Sequence, residues 1–146
     1  MNWKYLAGFF DGEGNIHMMQ NNQKISLNVQ IRVRIYSLDK QILWDIQEFL
    51  GFGKIYQKKK TGVSELAIIS KKNNLKFLKG IYPHCLLKKP LVYYILDNYS
   101  FISGRNNQSF DFNKFHSFIK RKNVEKLRKN CLSNTSSHLL NNSQNR

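Results

Sequence analysis

The fold is decided by the run Leu6-Ala7-Gly8-Phe9-Phe10-Asp11-Gly12-Glu13-Gly14, near the start of the chain. Leu6, Phe9 and Phe10 recur at the spacing of one helix face, which predicts an amphipathic helix that begins near Trp3. The last glycine of the run is expected to end this helix. The run therefore predicts one short helix with an apolar face, followed by a break in the helical pattern.

Two glycines interrupt this helix. Gly8 and Gly12 are four residues apart, so they leave a strip of one helix face without side chains, where a second backbone can approach closely. Each glycine costs roughly 1 kcal/mol relative to alanine in a helix interior, which favours a functional contact as the reason for the pair. We therefore predict a helix–helix interface formed by Leu6, Gly8, Phe9 and Gly12.

Two acids occupy the last turn of the helix. Asp11 and Glu13 lie where the helix dipole is already negative, so carboxylates are unfavourable there. A bound cation would reverse this cost, because carboxylate and carbonyl oxygens are the ligands that Mg²⁺ takes in proteins. The position of the acids thus predicts a cation at this end of the helix.

The composition indicates a folded domain with an anionic partner. The chain has 146 residues, of which 41% are hydrophobic and 13% aromatic, so it can bury a core. Its formal charge of +15 favours nucleic acid as the partner, with an anionic membrane surface as the second candidate. No apolar run approaches the ~18 residues of a membrane span, so we predict no membrane insertion. Cys85 and Cys131 lack CxxC spacing, and with four scattered histidines they predict no zinc site.

Strict alternation marks the strand after the first hairpin turn, which we place at Asn21-Asn22-Gln23. From Ile25 to Ile35 every second residue is aliphatic, so one face is buried and the other is polar. The polar row contains two arginines, two amides and no acid, a set that suits base edges and phosphates. With the matching positions of the neighbouring strands, the predicted DNA-binding residues are Asn15, His17, Met19, Ser26, Asn28, Gln30, Arg32, Arg34, Lys54, Tyr56, Lys58, Glu65 and Ala67.

The remaining elements are predicted from periodicity and end signals. Asp39 caps a helix that Gly51 closes, and a hairpin with a basic turn follows, its return strand running from about Val63 to Ile69. Further helices are predicted from about 73 to 82, from Pro90 onward, and after Asp111. The Ser/Asn-rich stretch from 133 is predicted to be a tail.

The opening run and the order helix-β-β-helix-β-β-helix-helix resemble the LAGLIDADG family of homing endonucleases. The resemblance covers the chain from about Trp3 to Ser103. It implies an α+β fold, an αββαββα core with a four-stranded antiparallel saddle sheet that lies on double-stranded DNA. Because the chain has one motif, the resemblance also implies a homodimer. We predict one endonuclease domain over residues 1–132 and a polar tail over 133–146.

The resemblance also implies the catalytic residues. Glu13 matches the family's metal-binding acid, and the carbonyl of Gly12 matches the backbone ligand beside it. Lys88 falls where the family often has a basic residue near the cleaved phosphate, although Lys89 could serve if the register shifts by one. The implied cofactor is Mg²⁺, with Mn²⁺ as a substitute and Ca²⁺ supporting binding without efficient cleavage. One departure is Ile35, where relatives often have a polar group that holds water.

These features favour a site-specific, divalent-metal-dependent DNA endonuclease with a long, near-palindromic target, encoded within an intron. The alternatives are an RNA-binding intron maturase and a non-catalytic DNA-binding protein on the same fold, neither of which would need Glu13. If the enzyme is active, Arg34 or Tyr36 is expected to replace the polar group missing at Ile35. Abundant Asn, Lys, Ile and Tyr favour an AT-rich organellar genome, and hence a mitochondrial or chloroplast location.

Overall fold

The helices and strands follow one another in the predicted order. The computed structural model describes residues 1–23, 26–58, 60–100 and 112–119, with the side chains of residues 19–23, 26–29, 112, 116, 118 and 119 outside that description. Along the chain the elements are α1 (Trp3–Glu13), β1 (Gly14–Gln23), β2 (Ser26–Ser37), α2 (Lys40–Leu50), β3 (Lys54–Gln57), β4 (Ser64–Ile68), α3 (Lys71–Ile81), α4 (Lys89–Asp97) and α5 (Phe112–Ile119). The chain divides into two units, Met1–Phe110 and Asp111–Arg146, and α5 belongs to the second.

α1 forms as its sequence predicts. The side chain of Asn2 accepts a hydrogen bond from the backbone N–H of Tyr5 at 2.9 Å, which caps the free donors of the first turn. Gly14 ends the helix in an extended conformation and opens β1. Phe10, at the last turn, is fully buried and packs edge-on against Phe77 of α3, with ring centroids 5.2 Å apart. α1 is thereby fixed to the core by its apolar face.

The four strands form one antiparallel sheet in the order β1-β2-β4-β3. β2 and β4 are therefore the central strands, while β1 and β3 lie at the edges. β1 pairs with β2 along its whole length, from Gly14 opposite Ile35 to Gln23 opposite Ser26. The predicted four-stranded antiparallel sheet and α+β class are confirmed.

One face of the sheet carries the core. The alternating aliphatic residues of the strands are buried on this face: Ile16, Ile31, Val33, Ile35, Leu66 and Ile68. α1, α2 and α3 pack against β2 on this side. Asp39 caps α2 by accepting from the backbone N–H of Gln41 at 2.8 Å, and Gly51 ends it with φ 73°, a left-handed conformation that favours glycine. The opposite face of the sheet, which these three helices do not cover, carries the polar row.

A buried amide joins α3 to the end of the central strand pair. β4 ends opposite Val33, so the backbone carbonyl of Ile31, two residues earlier in β2, has no strand neighbour on that side. The side-chain amide of Asn74 donates to this carbonyl at 2.7 Å and to that of Ile69 at 3.3 Å. An unpaired buried carbonyl would lower the stability of the fold. Asn74, although it lies on a helix, therefore stabilises the sheet by satisfying this carbonyl.

Several predicted boundaries differ from the structure. The predicted turn at Asn21-Asn22-Gln23 was wrong, because these residues continue β1 to Gln23. Ile25, Asp111 and the tail from 133 lie outside the described residues, so what the sequence indicates for them stays a prediction, as does the domain boundary at 132–133. Across the ranges that the structure describes, no helix has the length and apolar character needed to span a bilayer.

Candidate functional site

α1 has one buried face and one open face. Gly8 and Gly12 lie on the open face, where a Cβ built on either glycine would meet nothing within 4 Å. Tyr5 and Phe9 lie beside them with stacked rings, centroids 6.3 Å apart. The structure corrects one interface residue: Leu6 is fully buried within its own subunit, because it belongs to the apolar face that packs on the sheet. The open strip thus contains Gly8, Phe9 and Gly12, but not Leu6.

Glu13 stands exposed at the end of α1, next to the first residue of β1. Within the described part of the chain its carboxylate makes no hydrogen bond or ion pair. Gly12, beside it, is exposed as well. An exposed carboxylate and a neighbouring backbone carbonyl suit a hard divalent cation, so these two residues fit the predicted metal site. No cluster of three or more His, Cys, Asp or Glu that could hold a metal ion occurs in the ranges described.

Asp11, two residues earlier, does not share this role. Its carboxylate accepts hydrogen bonds from the backbone N–H groups of Leu86, Leu87 and Lys88 at 2.7, 3.1 and 2.9 Å. These donors belong to the loop that precedes α4, more than seventy residues along the chain. Burial raises the pKa of the Cys85 thiol to about 12, and the nearby Asp11 carboxylate adds to that shift. Asp11 is therefore structural, and it fixes the loop at the end of α1.

Lys88 lies at the same end of α1. Its ammonium donates to the backbone carbonyl of Asp11 and sits 5.6 Å from the ring centre of Phe10. Burial lowers the pKa of Lys88 below its ordinary value, while Asp11 and Glu13 oppose that shift. Lys89, the alternative, is exposed and lies over the ring of Tyr82. Of the two lysines, Lys88 is the one that the structure brings to the acidic end of α1.

We expect Asp11→Asn to weaken the fold measurably. The asparagine amide keeps one acceptor oxygen but replaces the other with an NH2 donor, which faces the backbone N–H groups. It also removes the negative charge that strengthens the three hydrogen bonds. Losing charge-assisted hydrogen bonds should cost about 2–3 kcal/mol of unfolding free energy. Urea denaturation followed by circular dichroism measures this, with Asp45→Asn, an exposed acid on α2, as the control. Equal midpoints for the two variants would contradict the structural role.

The polar face of the sheet is strongly basic. Asn15 pairs with Arg34 and His17 with Arg32 across β1 and β2, so these side chains share a face. Burial and the two nearby arginines lower the pKa of His17. Lys54, Tyr56 and Lys58, from β3 and its turn, are exposed, as are Asn15, His17 and Gln30. Met19, Ser26 and Asn28 lie within β1 and β2, but their side chains are outside the description.

Two predicted DNA contacts on β4 are corrected. Glu65 and Ala67 are only 8% and 2% exposed. β4 is a central strand, and the longer side chains of its neighbours cover these positions: Tyr36 and Tyr56 pair with Glu65, and Arg34 and Lys54 with Ala67. Neither side chain is therefore exposed enough to contact the bases of a duplex directly.

Ile35 is fully buried on the core face, opposite Gly14 at the start of β1. The neighbouring residues, Arg34 and Tyr36, lie on the polar face, and the Arg34 guanidinium donates to the Tyr36 hydroxyl at 3.5 Å. A polar group near the end of β2 is therefore available from either neighbour, as predicted, but not from position 35 itself.

A family model described as "LAGLIDADG endonuclease" matches residues 6–90, more than half of the chain. The chain belongs to the LAGLIDADG endonuclease family. The match includes the opening run, all four strands and Lys88, so the LAGLIDADG assignment covers each element that builds the candidate site.

Individual relatives agree with the LAGLIDADG assignment. The "Probable intron-encoded endonuclease 3" of Neurospora crassa is 39% identical over an alignment of 57 residues, and the match covers 36% of this chain and 11% of that protein. The chain thus matches only about a tenth of the length of this relative.

Solved LAGLIDADG structures share the fold. The homing endonuclease I-CvuI is 24% identical, with 68% of this chain and 66% of that chain covered. The TM-score is 0.60 for its complex with its target in the presence of Ca, and 0.61 for its complex with the I-CreI target in the presence of Mg, in which the DNA is not cleaved. The LAGLIDADG meganuclease I-AabMI, bound to uncleaved DNA, is 25% identical with a TM-score of 0.59, and the match covers 81% of this chain and 43% of that chain.

Proposed function

We propose that this chain is a site-specific DNA endonuclease that acts as a homodimer and uses a divalent metal ion to hydrolyse phosphodiester bonds. The observation that carries the proposal is the position of Glu13. It is an exposed acid at the junction of α1 and β1, so it stands where the open glycine strip of α1 meets the end of the basic sheet face. Among the residues that the structure describes, none forms a hydrogen bond or ion pair with this carboxylate.

The basic face of the sheet supports binding to duplex DNA. Arg32, Arg34, Lys54 and Lys58 share this face with the amides of Asn15 and Gln30. Lysine and arginine neutralise phosphates and supply most of the affinity, while arginine and amide side chains also bind base edges. A single face that combines both kinds of group suits a sequence-selective DNA-binding protein.

The chain's own groups divide the catalytic work at the end of α1. Glu13 and the carbonyl of Gly12 would hold a divalent ion against the scissile phosphate. Such an ion supplies charge neutralisation at the phosphate and an activated water. Lys88 adds a half-buried positive charge beside Glu13, held in place by the Asp11 carbonyl. Mg²⁺ is the ion that we expect, with Mn²⁺ able to replace it and Ca²⁺ supporting binding without efficient cleavage.

The open strip of α1 supports the proposed homodimer. Gly8 and Gly12 leave room for a second backbone, and a twofold axis through this contact would bring the two Glu13 carboxylates together. Like charges at short range are tolerable only with cations between them, so the dimer and the metal site support each other. The match to I-AabMI covers less than half of that longer chain, as expected if two copies of this chain are needed for one site.

The decisive experiment is a cleavage selection. The purified protein is incubated with Mg²⁺ and a pool of randomised duplexes, and the cut ends are sequenced. The expected result is a small set of related, near-palindromic sequences cut at fixed positions. Bound but uncut DNA would favour a regulator on the same fold, and selective binding of structured RNA would favour a maturase.

The length of the protected DNA is a separate prediction. β1 has 10 residues, which span about 33 Å, and duplex DNA rises about 3.4 Å per base pair. Each subunit should therefore cover roughly ten base pairs, and the dimer roughly twenty. Hydroxyl-radical footprinting on a selected duplex measures this length. Protection of only about six to eight base pairs would contradict the geometry.

A further inference from the structure

The basic face of the sheet contains one acid, and its surroundings are unusual. Glu65 lies on the central strand β4, is 8% exposed, and is paired on one side with Tyr36 and on the other with Tyr56. A carboxylate on a DNA-facing surface repels phosphates and costs desolvation when it is buried. An acid in this position therefore needs a compensating partner.

That partner is Arg34. Its Nε lies 3.3 Å from Glu65 Oε1, an ion pair whose N–H is not aligned as a hydrogen bond. A second tether comes from the Tyr36 hydroxyl, which accepts from Nη1 at 3.5 Å. The hydrogen bond to Tyr36 is the main cause that raises the pKa of Arg34, and the charge of Glu65 adds to it. Two side chains thus restrain one guanidinium, Glu65 at Nε and Tyr36 at Nη1.

Arg32 provides a contrast on the same strand. It lies two residues away on the same face, and in the described part of the chain its Nε has neither a hydrogen-bond partner nor an acid beside it. The two arginines therefore differ in how they are held: Arg34 is flanked by β1 and β4, whereas Arg32 has a strand partner only on β1. Only Arg34 is restrained by an acid.

The restraint leaves a defined edge free. A guanidinium has five N–H donors in a fixed plane. With Glu65 at Nε and Tyr36 at one hydrogen of Nη1, both hydrogens of Nη2 and the second hydrogen of Nη1 remain, and they form the outer Nη1–Nη2 edge when Tyr36 holds the Nη1 hydrogen on the Cδ side. That edge matches the O6 and N7 acceptors of guanine in the major groove. Arg34 pairs with Asn15, two residues after Glu13, so the base that it reaches lies near the centre of the target.

We propose that Glu65 is a positioning residue that orients Arg34 to select a guanine in the part of each half-site that lies nearest the centre of the target. The inference rests on the proposed function only in requiring that the basic face binds duplex DNA. Glu65 itself touches no base. It acts by holding the guanidinium, which reduces the number of orientations in which Arg34 could bind a phosphate or another base.

The test measures base preference without cleavage. Duplexes are selected from a randomised pool by gel shift in metal-free buffer, and dissociation constants are then measured for all four bases at the enriched guanine. For the wild type each wrong base should weaken binding about tenfold to a hundredfold. Arg34→Ala should reduce this ratio to less than about threefold. Glu65→Gln should lower the same ratio and leave the base preference at the other enriched positions of the duplex unchanged.

Two further variants separate positioning from a general loss of structure. In the double variant Glu65→Gln/Arg34→Ala, the base preference should equal that of Arg34→Ala alone, because Glu65 acts through Arg34. Tyr36→Phe keeps the ring but removes the hydroxyl, and it should lower the same guanine preference in part. Thermal unfolding by circular dichroism confirms that each variant is folded.

The outcomes are distinct. Full guanine preference in Glu65→Gln overturns the inference, as does a uniform loss across all sequences in Arg34→Ala with a shallower salt dependence, which marks a phosphate contact. If the wild type enriches no sequence, both this inference and the proposed function fail. If it enriches a sequence that Mg²⁺ does not cause it to cut, the endonuclease proposal fails while the role of Glu65 stands on the binding data.

Discussion

Glu13→Gln should lower the rate of DNA cleavage by roughly a thousandfold or more, because several kcal/mol of charge stabilisation depend on the metal ligands. The substitution keeps the shape of the side chain but removes the charge that would hold a divalent ion. Glu13 is exposed and makes no hydrogen bond within the described residues, so the fold should be unaffected. A cleavage time course with Mg²⁺ on a selected duplex measures the effect.

Binding separates this loss from a loss of affinity. Most of the affinity should come from phosphate contacts on the basic face, so Glu13→Gln should bind the same duplex as tightly as the wild type in a gel-shift titration. In metal-free buffer it should bind somewhat more tightly, because a carboxylate facing the DNA backbone has been removed. Glu48→Gln, an exposed acid on α2, is the matched control and should cleave normally. Equal cleavage by Glu13→Gln would remove Glu13 from the active site.

The second large effect is expected from Gly8→Leu, which should weaken dimerisation by about a hundredfold. A side chain wedged into a close backbone contact costs roughly 1–3 kcal/mol, and a twofold axis places two such side chains in one interface. Within its own subunit Gly8 faces open space, so the leucine should not disturb the fold. It should even stabilise the isolated helix by up to about 1 kcal/mol. Sedimentation equilibrium measures the dimer, and thermal unfolding measures the subunit.

A matched control guards against a general effect of added apolar surface. Lys72→Leu places the same side chain on the exposed side of α3 and should leave the dimer intact. The cleavage activity of Gly8→Leu should fall together with the dimer fraction and recover at high protein concentration. If the wild type is monomeric both free and on DNA, the predicted α1 interface is wrong, regardless of the result for Gly8→Leu.

The sequence alone predicted the features that depend on short-range patterns. The helical spacing of the opening run predicted α1, and strict alternation predicted β2 with its buried and basic faces, because side-chain direction repeats every 3.6 or 2 residues. Capping residues such as Asp39 and Gly51 marked the ends of α2 correctly. The candidate metal ligands Gly12 and Glu13 came from the resemblance of the opening run to the LAGLIDADG motif, which is recognisable locally because its residues are adjacent in the chain.

Only the tertiary structure decided which of the predicted residues are accessible. Glu65 and Ala67 alternate as exposed residues should, yet they are buried because the strand order puts β4 in the middle of the sheet. Leu6 belongs to the motif, but it faces the core and not the open strip. The roles of Asp11, which binds a loop more than seventy residues away, and of Asn74 depend on contacts between distant segments. Local periodicity determines which way a side chain points. Burial depends on which other segments cover that side chain, and this is set by the packing of the whole chain.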